Sequence, residues 1–500
     1  YPDVATSLNN LAELYSSQRK YAEAESFYRQ ALEMRKQLLG QEHPDVAASL
    51  NNLAVLYLSQ RRYEEAEPLL RQALEIKKRL LGEEHPNVAT SLNNLAALYW
   101  NQGRYGEAEP LYRQALEMWK RLLGEEHPNV ATSLNNLAAL YKNQGRYEEA
   151  EPLYRESLEM RKRLLGEEHP DVATSLNNLA ALYKNQGRYE EAEPLYRQVL
   201  EMWKRILGQE HPNVAVTLNS LAFLYESQGR YAEAESLYRQ ALEMWKRRGQ
   251  EHPNVATSLQ NLALLYQKRG RYAEAESFYR QALKMWKRLE QEHPNVATIL
   301  DNLAGLYLSQ GRYKETELLH FQALEMRKRL LGEEHPDVAT SLNNLAELYW
   351  SQGRYAEAEL LHLQALEMGQ QLFGQEHPSV ANSLNNLAGL YLSQGRYAEA
   401  ETLFRQALEM RKRFFGQEHP SVADSLSGLG LVYLNQGRYE EAELLFRQAL
   451  EMRKQFFGQE HPDVAGSLSN LAGLYWSQER YEEAELHFRQ ALEMRKQFFG

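Results

Sequence analysis

One unit of about 42 residues fills this chain twelve times, and nothing else about the sequence limits the fold so severely. A string of the form H-P-D/N/S-V-A returns with its proline at Pro2, Pro44, Pro86, Pro128, Pro170, Pro212, Pro253, Pro294, Pro336, Pro378, Pro420 and Pro462. Nine of the eleven intervals are 42 residues and two are 41. A fixed period of roughly 20–50 residues marks a stacked array, in which each unit buries its apolar face on its neighbours. Such an array escapes the limit of about 250–300 residues on a single core. Residues 1–500 therefore read as one continuous domain.

Within the unit the spacing is helical. In the fourth copy Val130, Leu134, Leu137, Ala138 and Tyr141 share one face of a helix opened by Pro128, where a missing N–H costs nothing. Gly145 offers a left-handed stop. A second helix follows, with Ala150, Tyr154, Ser157 and Leu158 on one face, and it runs to Gly166. Each repeat is thus a hairpin of a helix A and a helix B. Ten copies carry Ala where the fourth has Ser157 and one has Val199; a small side chain there lets two helices approach. Arg19, Arg61 and Glu479 replace the glycine that ends helix A. Non-glycine residues are strained in the left-handed region, so looser turns are expected at the two ends of the array.

These residues resemble the tetratricopeptide repeat family. Leu134, Leu137, Ala138, Tyr141, Ala150 and Tyr154 match its small/large signature. The usual repeat is about 34 residues; the extra residues lengthen helix B and its exit. With L-N-N-L-A, Q-G-R-Y-x-E-A-E and L-G-x-E-H-P-D-V-A, the unit is similar to the repeat of kinesin light chains. The resemblance implies an all-α, right-handed superhelix of twelve hairpins with helix A on its concave side, and a role in binding proteins.

Composition narrows the function classes. The net charge of −11 is spread at roughly one negative charge per repeat, against the basic stripe that nucleic acid requires. No cysteine is present, so disulfide and thiolate chemistry are excluded and a reducing, cytoplasmic setting is expected. No apolar run approaches the ~20 residues of a membrane span. The chain opens on Tyr1 where other repeats carry His, and it reads as a segment of a longer protein. Phosphate loops, nucleophile elbows and H-E-x-x-H are missing, and no cofactor is implied. The eleven His-Pro pairs recur at helix spacing, too far apart to share an ion, and read as helix caps. His320, His362 and His487 read as surface variation, and the E-A-E and G-E-E strings as solvated faces.

One row of residues invites a functional reading. Two positions after the first signature leucine, ten of twelve copies carry asparagine: Asn10, Asn52, Asn94, Asn136, Asn178, Asn261, Asn302, Asn344, Asn386 and Asn470; Ser220 and Gly428 are the exceptions. The position lies off the Leu/Ala/Tyr face, and Asn is a poor helix former. Its amide both donates and accepts, so a ladder of them can hold the main chain of an extended peptide. The resemblance implies the same, since asparagine here lines the concave groove of the family. The alternative is that each Asn bonds the next repeat and fixes stacking. Variable neighbours three and six positions further on include Trp100, Lys142 and Lys184. They outline a pocket in repeats 3–5 for an apolar anchor beside an acidic group.

Two other readings stay open. The array could be the ligand-sensing tail of a signalling NTPase of the STAND or NB-ARC type, or a passive spacer that self-associates end to end. Finally, the two 41-residue intervals adjoin each other, so a change of pitch is expected between Trp245 and Pro294.

Overall fold

A computed structural model of the chain describes residues 2–18, 20–60, 62–249, 252–289, 293–375, 377–417, 419–459 and 461–499. Among them are 24 α-helices and no strand, from Pro2–Ser17 to Tyr481–Phe499. They form twelve A–B hairpins, as the repeats predict. Each helix A has 16 residues, as in Pro128–Asn143. Helix B has 19, as in Tyr147–Leu165, but 18 in the shortened repeats 6 and 7, Tyr231–Arg248 and Tyr272–Leu289.

The motif residues set these boundaries. In each of repeats 2–12 the histidine before the proline is the N-cap, its Nδ1 accepting the backbone N–H two residues on at 3.0–3.2 Å. The ring nitrogen satisfies a donor that helix geometry leaves orphaned. At the other end, Gly187 at φ +75° closes helix A as its N–H bonds the Lys184 carbonyl and Arg188 N–H bonds that of Tyr183.

The looser turn expected at Glu479 is not observed. Glu479 takes φ +60°, and its turn keeps both bonds, Glu479 N–H to Trp476 and Arg480 N–H to Tyr475, at 3.0 and 2.9 Å. The backbone accepts local strain rather than opening. Arg19 and Arg61 lie outside the described residues.

The helix packing resolves into two compact units, residues 1–143 with 148–167, and residues 144–147 with 168–500. In the first, Ser157 is fully buried and donates to the Ala131 carbonyl of helix A at 2.7 Å, so the hydroxyl is tolerated where other repeats have Ala. In the second, Leu387, Ala388, Tyr391, Phe404, Leu429 and Tyr433 belong to one cluster running through repeats 9–12.

The turns at the two shortened junctions include residues 250–251 and 290–292, outside the described set, as is part of the segment where a pitch change is expected. Beside them, Trp245 stacks on His252 and Trp286 on His293, with ring centroids 4.9 and 4.3 Å apart. In the full-length repeats 9–11 the last helical residue does this work: Phe373, Phe415 and Phe457 stack on His377, His419 and His461. Where helix B loses a residue, an indole from its previous turn covers the capping histidine instead.

His320 and His362 are not surface variation. They are 2% and 1% exposed and belong to polar clusters between helices. His320 Nδ1 lies 2.7 Å from Asp301 Oδ1, and His362 Nδ1 lies 2.8 Å from Asn343 Oδ1. Arg327 and Ser341 complete the first cluster, the guanidinium bonding both Asp301 and Ser341.

Candidate peptide-binding face

The asparagine row divides into spent and unspent amides. Asn94 donates to Asn51 Oδ1 of the preceding repeat at 2.8 Å, and Asn136 to Asn93 Oδ1 at 3.1 Å. These two contribute to repeat stacking, and Asn178 is not without a partner either. Asn10, Asn52, Asn261, Asn302, Asn344, Asn386 and Asn470 make no side-chain hydrogen bond within the described residues. Asn10 and Asn386 are exposed and the other five half-buried. Ser220 turns back to its own helix, donating to the Val216 carbonyl at 3.2 Å. At Gly428 a Cβ would overlap the ring of Phe404, so the row is interrupted where a neighbouring aromatic takes its space.

Within the second unit the row borders a pocket of about 400 Å³ on repeats 5–7. Asn177, Ala181 and Lys184 of repeat 5, Ser220 and Phe223 of repeat 6 and Asn261 of repeat 7 line it. Lys184 Nζ sits 4.3 Å from the Phe223 ring centroid, a cation–π contact at the rim. Of the three residues that outlined a pocket in repeats 3–5, Lys184 alone lies here. Trp100 and Lys142 belong to the first unit and are half-buried; burial pulls the Lys142 ammonium below its ordinary range.

The variable positions three and six after the row interlock between neighbours. Lys184 covers Phe223 of the next repeat. In the same register Trp350 covers Gly389, where a Cβ would come within 3.1 Å of the indole. The first pair is a cation on a ring; the second sets a large residue against a small one. The pairing joins residues 39 apart, a separation read directly off the sequence.

The E-A-E strings do more than solvate. The second glutamate is a clamp between repeats: Tyr57 donates to Glu25 at 2.9 Å, Arg62 at 2.5 Å and Arg29 at 2.9 Å. Arg62 holds the Glu25 carboxyl down to about 2, while burial pushes the Tyr57 hydroxyl up to about 12. The clamp recurs at Glu67, Glu193, Glu401 and Glu443. Its signal is a tyrosine five residues before an arginine, as in Tyr57 and Arg62, set against the E-A-E of the repeat before.

Among the described residues no three His, Cys, Asp or Glu side chains gather as a metal site, and no helix is long and apolar enough to cross a membrane. Geometry and chemistry define an interaction scaffold of stacked helical hairpins. The tetratricopeptide repeat family profile matches in eleven overlapping segments from residue 3 to residue 497. The chain belongs to the tetratricopeptide repeat family.

A comparison with curated proteins found no match. Solved structures give several. A putative kinesin light chain from Podospora anserina with nearly identical repeats is 31% identical, covering 42% of this chain and 99% of that one, with a TM-score of 0.37. BtubC (BKLC) from P. vanneervenii is 24% identical over 45% of this chain and 91% of its own, with a TM-score of 0.38. A Rap protein in complex with competence and sporulation factor is 16% identical, covering 74% of this chain and 99% of its own, with a TM-score of 0.50.

Proposed function

We propose that the array holds an extended peptide or partner segment along the helix-A face, the asparagine row gripping its main chain. The observation that supports this is the set of amides left unspent. Five of these amides, from Asn52 to Asn470, are half-buried, have no partner among the described residues and keep their polar atoms open to solvent, where a ligand can reach them. A peptide main chain supplies both the acceptor and the donor they lack. The pocket on repeats 5–7 takes one side chain, with Phe223 as an apolar wall and Lys184 as a cation at its edge. Because Asn94 and Asn136 are committed to stacking, the grip falls on Asn261, Asn302 and Asn344.

The test is a peptide-library selection on the parent chain, on N261A/N302A/N344A and on N94A/N136A, each checked for helicity. Enriched peptides should bind the parent, lose binding to the triple variant and keep it with the double variant, whose defect should be a lower melting temperature. Equal binding to parent and triple variant would refute the reading.

A further inference from the structure

The helix-B ends of repeats 10 and 11 differ from those of repeats 1–4. Repeats 10 and 11 end in Phe414–Phe415 and Phe456–Phe457 where repeats 1–4 end in two leucines, and they alone with repeat 12 carry this pair. The first residue of the pair is solvent-facing in the first unit: Leu38, Leu80, Leu122 and Leu164 are 36–52% exposed. Phe414 and Phe456 are half-buried. What covers Phe456 is the A–B turn of repeat 5. A Cβ built on Gly187 would overlap the Phe456 ring and come within 3.3 Å of His419. Tyr189 packs edge-on against Phe456 at 5.2 Å between centroids, and Phe456 meets His419 at 5.6 Å. The second unit repeats the arrangement one step away. A Cβ on Gly145 would lie 2.5 Å from Pro378, and Tyr147 packs on Phe415 at 5.9 Å. The A–B turn glycines Gly353, Gly395 and Gly437 have nothing within 4 Å of that position.

We infer that the aromatic ends of repeats 10 and 11 form a clasp that grips glycine turns six repeats earlier, closing the intervening hairpins into a loop. Each hairpin otherwise touches chiefly its neighbours, so an array without the clasp resists bending only through adjacent interfaces. A contact between residues 187 and 456 adds a constraint of long sequence separation. It reaches the candidate pocket as well, because Lys184 at the pocket rim and Gly187 in the clasp sit on one turn. Gly187 thus answers two demands, a left-handed backbone and room for a ring.

The chain has no cysteine, so engineered thiols report cleanly. In G187C/F456C, mild oxidation should give a disulfide within one chain, roughly tenfold or more faster than in G437C/F456C, since the effective concentration of two held groups exceeds that of free ones. Equal rates, or cross-linked dimers, would overturn the clasp. A second comparison needs no thiols. Gly187 and Gly437 share φ +75°, so G187A and G437A carry the same backbone strain. G187A should lower the melting temperature further, and F456L should restore it to the G437A value. Equal losses for G187A and G437A would overturn the clasp.

Discussion

Asp301→Asn is the sharpest test of what holds the two helices of one hairpin together, since Asp301 lies on helix A of repeat 8 and His320 and Arg327 on its helix B. Asp301, His320, Arg327 and Ser341 are 7%, 2%, 5% and 0% exposed, so the Asp301–Arg327 pair is withdrawn from water. The substituted amide would keep an oxygen for His320 Nδ1 but leave the Arg327 guanidinium buried without its counter-charge. Breaking a buried pair on one side costs about 3–5 kcal/mol, whereas replacing both partners with neutral groups is often nearly neutral. The chain contains its own neutral version one repeat later: Asn343 faces His362 at 2.8 Å and donates to Ser383 at 3.3 Å, with Gly369 in the place of the arginine. D301N should therefore cost about 3–5 kcal/mol and D301N/R327M no more than about 1–2 kcal/mol, so the double variant should be the more stable by at least ~1 kcal/mol. Arrays open locally rather than all at once. The readout is therefore amide hydrogen exchange of helices Pro294–Ser309 and Pro336–Ser351, supported by urea melts. If D301N changes local opening by under about 0.5 kcal/mol, or the double variant is no better than the single, the buried-pair account fails.

Other outcomes follow from the same geometry. Burial pushes His362 and His419 down to about 4, so between pH 6.5 and 4 the unfolded chain binds more protons than the folded one. Stability should fall as pH falls through that window, by up to about 3 kcal/mol for His362; urea midpoints against pH measure this, and H419N, which keeps a cap without titrating, should flatten the slope. Arg62 holds Glu25 near 2, so that contribution is present above pH 4.5 and is lost only as pH falls toward 2. Glu479→Gly should stabilise the last hairpin by about 1 kcal/mol, since it removes the strain of φ +60° without losing a bond; no gain in thermal stability would count against stored strain. Glu443→Gln should cost about 1–2 kcal/mol, because an amide cannot serve Tyr475, Arg447 and Arg480 together as the carboxylate does; unchanged exchange in helix Pro462–Ser477 would contradict the clamp.

The hairpins were legible because period, proline, glycine and apolar spacing all point to the same boundaries. His-Pro gave the caps, and Gly145 the stop after helix A, without any tertiary knowledge. What the sequence hid were relations between repeats. An E-A-E string looks like a solvated face until the next repeat's tyrosine and arginine are laid against it. His320 and His362 look like stray surface residues because periodicity marks where a residue sits, not what its replaced neighbours, Asp301 and Gly369, have become. The asparagine row was visible, but spacing does not tell which amides are spent: Asn94 bonds Asn51, whereas Asn9 and Asn219, in the same register before Asn52 and Asn261, keep a buried Oδ1 without a partner among the described residues. The Phe456–Gly187 contact joins positions 269 apart, where no local pattern can reach.

Near-identity of the repeats creates a problem that these departures answer. If every interface were the same, a hairpin could stack on any other, and register slips or exchange between chains would cost little. The observed variations come as matched sets across single interfaces: Trp350 with Gly389 and Phe404 with Gly428. Each set is satisfied only by its own neighbour. Slipped by one repeat, the Trp350 indole would meet Leu431 in place of Gly389, and the Phe404 ring would meet Asn470 in place of Gly428. Such mismatches cost about 1–3 kcal/mol each through overpacking, whereas the matched sets cost little in the correct register. The irregular residues thus supply the order that the regular ones cannot, and the unspent amides of the asparagine row lie on hairpins whose sequence of neighbours is fixed by them.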